Sequence, residues 1–88
     1  MSYRVEFSRA ARNRFLRLDR SQKERVGARV DELASNPYDP RISGLLANKG
    51  DLRKSRVGGW RIIFIVKDQS RTVYILALER RGQVHQRL

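Results

Sequence analysis

The sequence predicts a small α+β domain: an N-terminal strand, an antiparallel hairpin of two helices, then a three-strand antiparallel meander, with the helices packed on one face of the sheet. Three observations carry this. Apolar residues recur at helical spacing up to about residue 35 and at a spacing of two after Leu52. Gly58-Gly59 stands between two alternating runs, a strong signal for a two-residue hairpin turn. The 88 residues suffice for one domain, 1–88, and leave little room for a second.

Taken in order, Tyr3 to Phe7 alternates around Val5 and reads as a short strand. Ser8 then offers an N-cap, and Ala11, Phe15 and Leu18 follow on one helical face, with Arg9, Arg12, Arg14 and Arg17 on the others. Asp19-Arg20 breaks this helix. Ser21-Gln22-Lys23-Glu24 has the form of a capping box, so a second helix is expected to start there, with Val26, Val30 and Leu33 on its apolar face. Asn36-Pro37 ends it, because the residue before proline is pushed out of the helical region. The short break between the helices predicts that they lie antiparallel. The strands are expected at Leu52 to Val57, Trp60 to Val66 and Thr72 to Arg80, with Lys67 to Arg71 as the second turn. Arrangement of strands and helices in separate blocks is the pattern of an α+β fold.

Charge points to the partner. There are 20 Lys and Arg against 9 Asp and Glu, a formal net charge of +11. Such an excess repels itself in the folded state, and the partners that usually compensate it are nucleic acid, an anionic membrane or an acidic protein. The absence of cysteine excludes a disulfide framework, a thiolate zinc site and a cysteine nucleophile. Neither a metal nor a cofactor is expected from the residue spacing. No signal-type or membrane-spanning apolar run is present in the sequence, so a soluble, cytoplasmic protein is expected, with no membrane partner.

The glycine turn converts the strands into a map. With a two-residue loop at Gly58-Gly59, Val57 faces Trp60, Arg56 faces Arg61 and Lys54 faces Ile63. Faces alternate along a strand, so Lys54, Arg56 and Arg61 share one face, and Val57, Trp60, Ile62 and Phe64 the other. Pairing Val66 with Val73 puts Val73, Ile75 and Ala77 under the helices. It puts Tyr74, Leu76, Leu78 and Arg80 on the cationic face. Like charges at Arg56 and Arg61, with no acid expected among them, destabilise a strand pair and suit an anion. Phosphate matches the arginine fork, so the expected ligand is a nucleic-acid backbone. Glu79 reads only as a strand-end charge.

The run Arg53-Lys54-Ser55-Arg56-Val57-Gly58-Gly59-Trp60-Arg61-Ile62-Ile63-Phe64 resembles the signature region of the RelE/ParE toxin superfamily: two basic residues around a spacer, an aliphatic, Gly, an aromatic, Arg and an apolar strand. Arg80-Arg81-Gly82-Gln83-Val84-His85 is similar to the family's closing motif. The resemblance implies a RelE-like fold and a toxin of a type II toxin–antitoxin system, a metal-independent endoribonuclease that cleaves messenger RNA in the ribosomal A site. It also implies a cognate antitoxin as partner. The alternative within the family is a ParE-type inhibitor of DNA gyrase with no enzymatic activity.

By position, the resemblance assigns catalytic roles to Lys54, Arg56, Arg61 and Arg81, with Arg80 as the alternative to Arg81. His85 falls where many members carry tyrosine, and it is the only histidine in the chain. Metal-free RNA cleavage needs a base for the 2′-hydroxyl, cations for the phosphorane and an acid for the 5′-oxygen. Arg56 and Arg61 are the expected phosphate ligands. Lys54 is expected to stabilise charge or act as base, and His85 to act as acid or base. Arg53, Arg80 and Tyr74 are expected RNA contacts, Tyr74 by stacking on a base.

Overall fold

A strand, two helices and four further strands follow one another along residues 2–80, the part of the chain described by the computed structural model. They are β1 (Arg4–Phe7), α1 (Arg9–Leu16), α2 (Arg20–Ser35), β2 (Gly44–Leu45), β3 (Arg53–Val57), β4 (Trp60–Lys67) and β5 (Thr72–Arg80). The α+β class and the three-strand meander β3–β4–β5 are as the sequence predicts. Two features of the sheet are additions. β1 joins the far edge, parallel to β5, and β2 pairs with β3, giving the order β1-β5-β4-β3-β2.

Local chemistry explains where the helices start. Ser8 caps α1 through a hydrogen bond from the Ala11 amide to its Oγ at 3.0 Å. Helix α2 begins before the expected capping box. Asp19, rather than Ser21, is its N-cap, accepting from the Gln22 amide at 2.8 Å. A carboxylate satisfies a free amide at least as well as a hydroxyl and adds a favourable charge at the positive end of the helix. Asn36 closes α2, and the fully buried Pro37 follows.

The core lies between the helices and one face of the sheet. Ala11, Leu18, Val26, Val30 and Leu33 pack on Trp60, Ile62, Phe64, Val73, Ile75 and Leu78. Ala77 is not in this cluster and Leu78 is, which reverses the expected assignment. The cause is a β-bulge. Pairing between β4 and β5 is regular from Lys67↔Thr72 to Phe64↔Ile75, then resumes at Ile63↔Ala77, so Leu76 is the extra residue. One inserted residue flips every later side chain to the opposite face. The displaced Leu76 carbonyl accepts from the Ser8 hydroxyl at 2.8 Å. Ser8 thus caps α1 and satisfies the bulge with one side chain.

Away from the bulge, a clasp joins distant parts of the chain. The hydroxyls of Tyr3 and Tyr38 donate to the two oxygens of Asp68, at 2.8 and 2.5 Å. The hydrogen bonds from Tyr38 and then Tyr3 hold the Asp68 carboxyl below its ordinary value of 3.8. The same bond to Asp68 is the main cause that pushes the Tyr38 hydroxyl up to about 12. Arginine guanidiniums stack on both rings, Arg71 on Tyr3 at 4.4 Å and Arg53 on Tyr38 at 5.0 Å.

Candidate active site

The β3–β4 hairpin sets the site. Gly58 has φ +57°, the positive value that a type II′ turn requires at its first central residue. A Cβ there would also lie 3.1 Å from Nη1 of Arg25. With the turn fixed, Arg56 pairs with Arg61, Lys54 with Ile63 and Val57 with Trp60, as the sequence predicts. Lys54, Arg56 and Arg61 therefore stand on the face of the sheet turned away from the helices. On its other side Lys54 is paired with Gly44 of β2, which brings no side chain to the neighbouring position.

Past the bulge the face is not the one expected. Glu79, not Arg80, lies beside Arg61, and Oε1 of Glu79 accepts from Nη2 of Arg61 at 2.6 Å. The arginine pair has an acid beside it after all, so repulsion across Arg56 and Arg61 is offset on the Arg61 side. Among the described residues, the side chains of Lys54 and Arg56 make no hydrogen bond or ion pair. Of the three cations of this row, Lys54 and Arg56 are, among the described residues, wholly unpaired and Arg61 is engaged through Nη2 alone.

Of the three expected RNA contacts, Arg53 and Arg80 lie on the helix face and Tyr74 on the cationic face. Arg53 is on the helix face, where its Nε donates to the Ser43 hydroxyl at 2.9 Å and its guanidinium stacks on Tyr38. Arg80 pairs with Trp60 and its guanidinium lies 5.7 Å from that ring, with Arg14 on the same ring at 5.2 Å. Tyr74 does share the cationic face, but it pairs with Ile65 near the β4–β5 turn, about 15 Å along the strand from Glu79. Arg81 and His85 lie outside the described residues.

Two arginines not expected from the sequence complete the surroundings. Arg29 of α2 reaches the edge of β3, donating through Nη1 to the Ser55 hydroxyl at 2.9 Å and the Arg56 carbonyl at 2.6 Å. Arg41 follows Pro40 in the loop after α2 and is anchored by Asp39 at 3.1 Å. Together with Lys54 and Arg56 they line a shallow concavity of about 360 Å3. Among the described residues no carboxylate lines it, and of its four cations Arg29 and Arg41 are paired with Glu32 and Asp39. The region is therefore cationic and suited to an anionic polymer. No sequence pattern marks Arg29, since its role depends on how α2 lies on β3. Glu79 left a trace: Ile75-Leu76-Ala77-Leu78 is a run of four apolar residues that breaks the alternation.

A model of the ParE toxin of type II toxin–antitoxin systems matches residues 5–85. The chain belongs to this toxin family. The toxin is similar in fold to the RelE–RelB complex of Pyrococcus horikoshii OT3, with a TM-score of 0.79 and 26% identity over 94% of this chain and 99% of that one. The RelBE2 toxin–antitoxin complex of Mycobacterium tuberculosis gives 0.79 and 24%, over 92% and 100%. The isolated RelE toxin of E. coli gives 0.80 and 19%, over 98% and 94%. No curated protein sequence matches the chain. The RelE-like fold expected from the signature run is thus the observed one. Among the described residues no helix is long and apolar enough to cross a membrane.

Proposed function

We propose that this toxin is a metal-independent endoribonuclease that cleaves messenger RNA in the ribosomal A site, in the cytoplasm, and is held inactive by a cognate antitoxin. The observation that carries the reading is the placing of Lys54, Arg56 and Arg61 on one face of a turn-fixed hairpin, two of them without a protein partner among the described residues. Arg56 and the free edge of Arg61 hold the scissile phosphate, since guanidinium matches it bidentately. Lys54 stabilises the charge that grows on the phosphorane. Arg81 assists at the phosphate, and His85 protonates the departing 5′-oxygen, a task suited to imidazole. The attacking 2′-oxygen forms its bond to phosphorus as the bond to the 5′-oxygen breaks.

The antitoxin reading is supported by the neighbours in fold, several of which are complexes of a RelE toxin with RelB. The test is expression of the wild-type toxin, followed by mapping of messenger 5′-ends and of DNA supercoiling. New 5′-ends support the ribonuclease. Their absence, with altered supercoiling and DNA damage, would mean a gyrase inhibitor instead.

A further inference from the structure

Metal-free RNA cleavage needs a group to take the 2′-hydroxyl proton, and the cations of the site are poorly suited to it. The bulge at Leu76 supplies a better one. It turns Glu79 onto the row of Arg56 and Arg61, where no other carboxylate of the described strands lies. The remaining acid on this face, Glu6, is beside Tyr74 and is paired with Arg4.

The geometry of the ion pair leaves both partners capable of more. Arg61 uses Nη2, and Glu79 uses Oε1. Among the described residues, Nε and Nη1 of Arg61 and Oε2 of Glu79 have no partner. The side chains are 32% and 36% exposed, so a substrate reaches them while water screens them only in part. In RNA, the 2′-hydroxyl and the 3′-phosphate sit on adjacent carbons of one ribose. A guanidinium that holds the phosphate through its free edge brings the hydroxyl to a carboxylate bound at its other edge.

We propose that Glu79 is the proton acceptor of the cleavage reaction, an assignment that rests on the ribonuclease reading above. The Glu79 carboxylate takes the 2′-hydroxyl proton as the 2′-oxygen bonds to phosphorus. The bond from phosphorus to the 5′-oxygen breaks, and that oxygen takes a proton from His85. The products are a 2′,3′-cyclic phosphate and a 5′-hydroxyl. Solvent then takes the proton from Glu79 and returns one to His85, so the proton balance closes. Arg61 is both phosphate ligand and holder of the base.

The test compares wild type, Glu79→Gln, Glu79→Asp and Arg61→Ala on ribosomes programmed with a defined message, and on the same message free. Each variant is first checked by its melting curve. The Glu79→Gln amide still accepts from Arg61 but takes no proton. It is expected to lower kcat by about 10²–10³-fold, with KM unchanged or lower because a negative charge is gone. Glu79→Asp, which keeps a carboxylate, is expected to recover part of the rate, and it decides the matter if Glu79→Gln fails to fold. A Glu79→Gln rate equal to or above wild type would show that Glu79 only neutralises Arg61, and would overturn the assignment while leaving the ribonuclease reading intact. A wild-type toxin that cleaves neither message overturns both.

Discussion

Arg61 and Glu79 show how one residue changes meaning with its neighbour. Alone, Arg61 opposite Arg56 is a like-charge cross-strand pair, which destabilises the hairpin. With Glu79 beside it, the same guanidinium is oriented, and among the described residues its Nε and Nη1 have no partner. Arg61→Ala is therefore expected to cut cleavage by about 10²-fold or more, the usual effect of removing one preorganised donor. Melting temperature and antitoxin binding should change little, because the pair is partly solvated and contributes modestly to stability. A cleavage assay beside a thermal melt checks both. Ser8 is the counterpart in the scaffold. Ser8→Ala removes the cap of α1 and the partner of the bulged Leu76 carbonyl together. It is expected to cost about 1–3 kcal/mol of unfolding free energy, measured in urea, with the larger part from the unsatisfied carbonyl.

At the scale of elements, the β3–β4 hairpin is the part on which the site depends, and Gly58 sets its register. Any other residue at φ +57° is strained, and here a Cβ would also press on Arg25. Gly58→Val is expected to destabilise the fold by about 1–3 kcal/mol and to blunt cleavage through loss of register, read by urea unfolding and by assay of the folded fraction. This hairpin was legible in the sequence because two glycines fix loop length, and loop length fixes which residues face each other. The far end of β5 was not. The alternation that placed Val73 and Ile75 correctly misplaced Leu78, Glu79 and Arg80, because a bulge is stabilised by a remote serine rather than by the strand itself. Likewise β1 was legible as a strand, but its parallel pairing with β5 is a contact across about 70 residues that no local pattern encodes. Two-residue β2 is too short to show a period. The cationic trio was thus readable from a local turn, whereas Glu79 and Arg29 came from tertiary packing.

Over the whole molecule, charge and the tyrosine clasp set the response to solution conditions. RNA binding by a chain of net charge +11 should weaken steeply with salt. Replacing Lys54, Arg56 and Arg61 together should lower the slope of log affinity against log salt by about 2, at about 0.7 per phosphate contact on a single strand. Titration of a non-cleavable message at several salt concentrations measures it. The clasp contributes to acid stability. Asp68 ionises more readily folded than unfolded, so its contribution is complete above its ordinary value of 3.8 and is lost as pH falls through the lower folded value. Tyr38 works in the opposite sense: its contribution is complete below its ordinary value of 10.0 and is lost as pH rises through about 12. Asp68→Asn should therefore flatten the acid limb of a plot of melting temperature against pH, with the wild-type advantage disappearing at the lowest pH.

All three scales meet in the claim that the face carrying Lys54, Arg56 and Arg61 cuts RNA. The most direct measurement is a 5′-end map of messages in cells expressing wild type or Arg61→Ala, each shown to bind the antitoxin. New ends are expected with wild type, and their loss with Arg61→Ala. Cuts that persist unchanged in Arg61→Ala, or a toxic wild type that makes none, would contradict it.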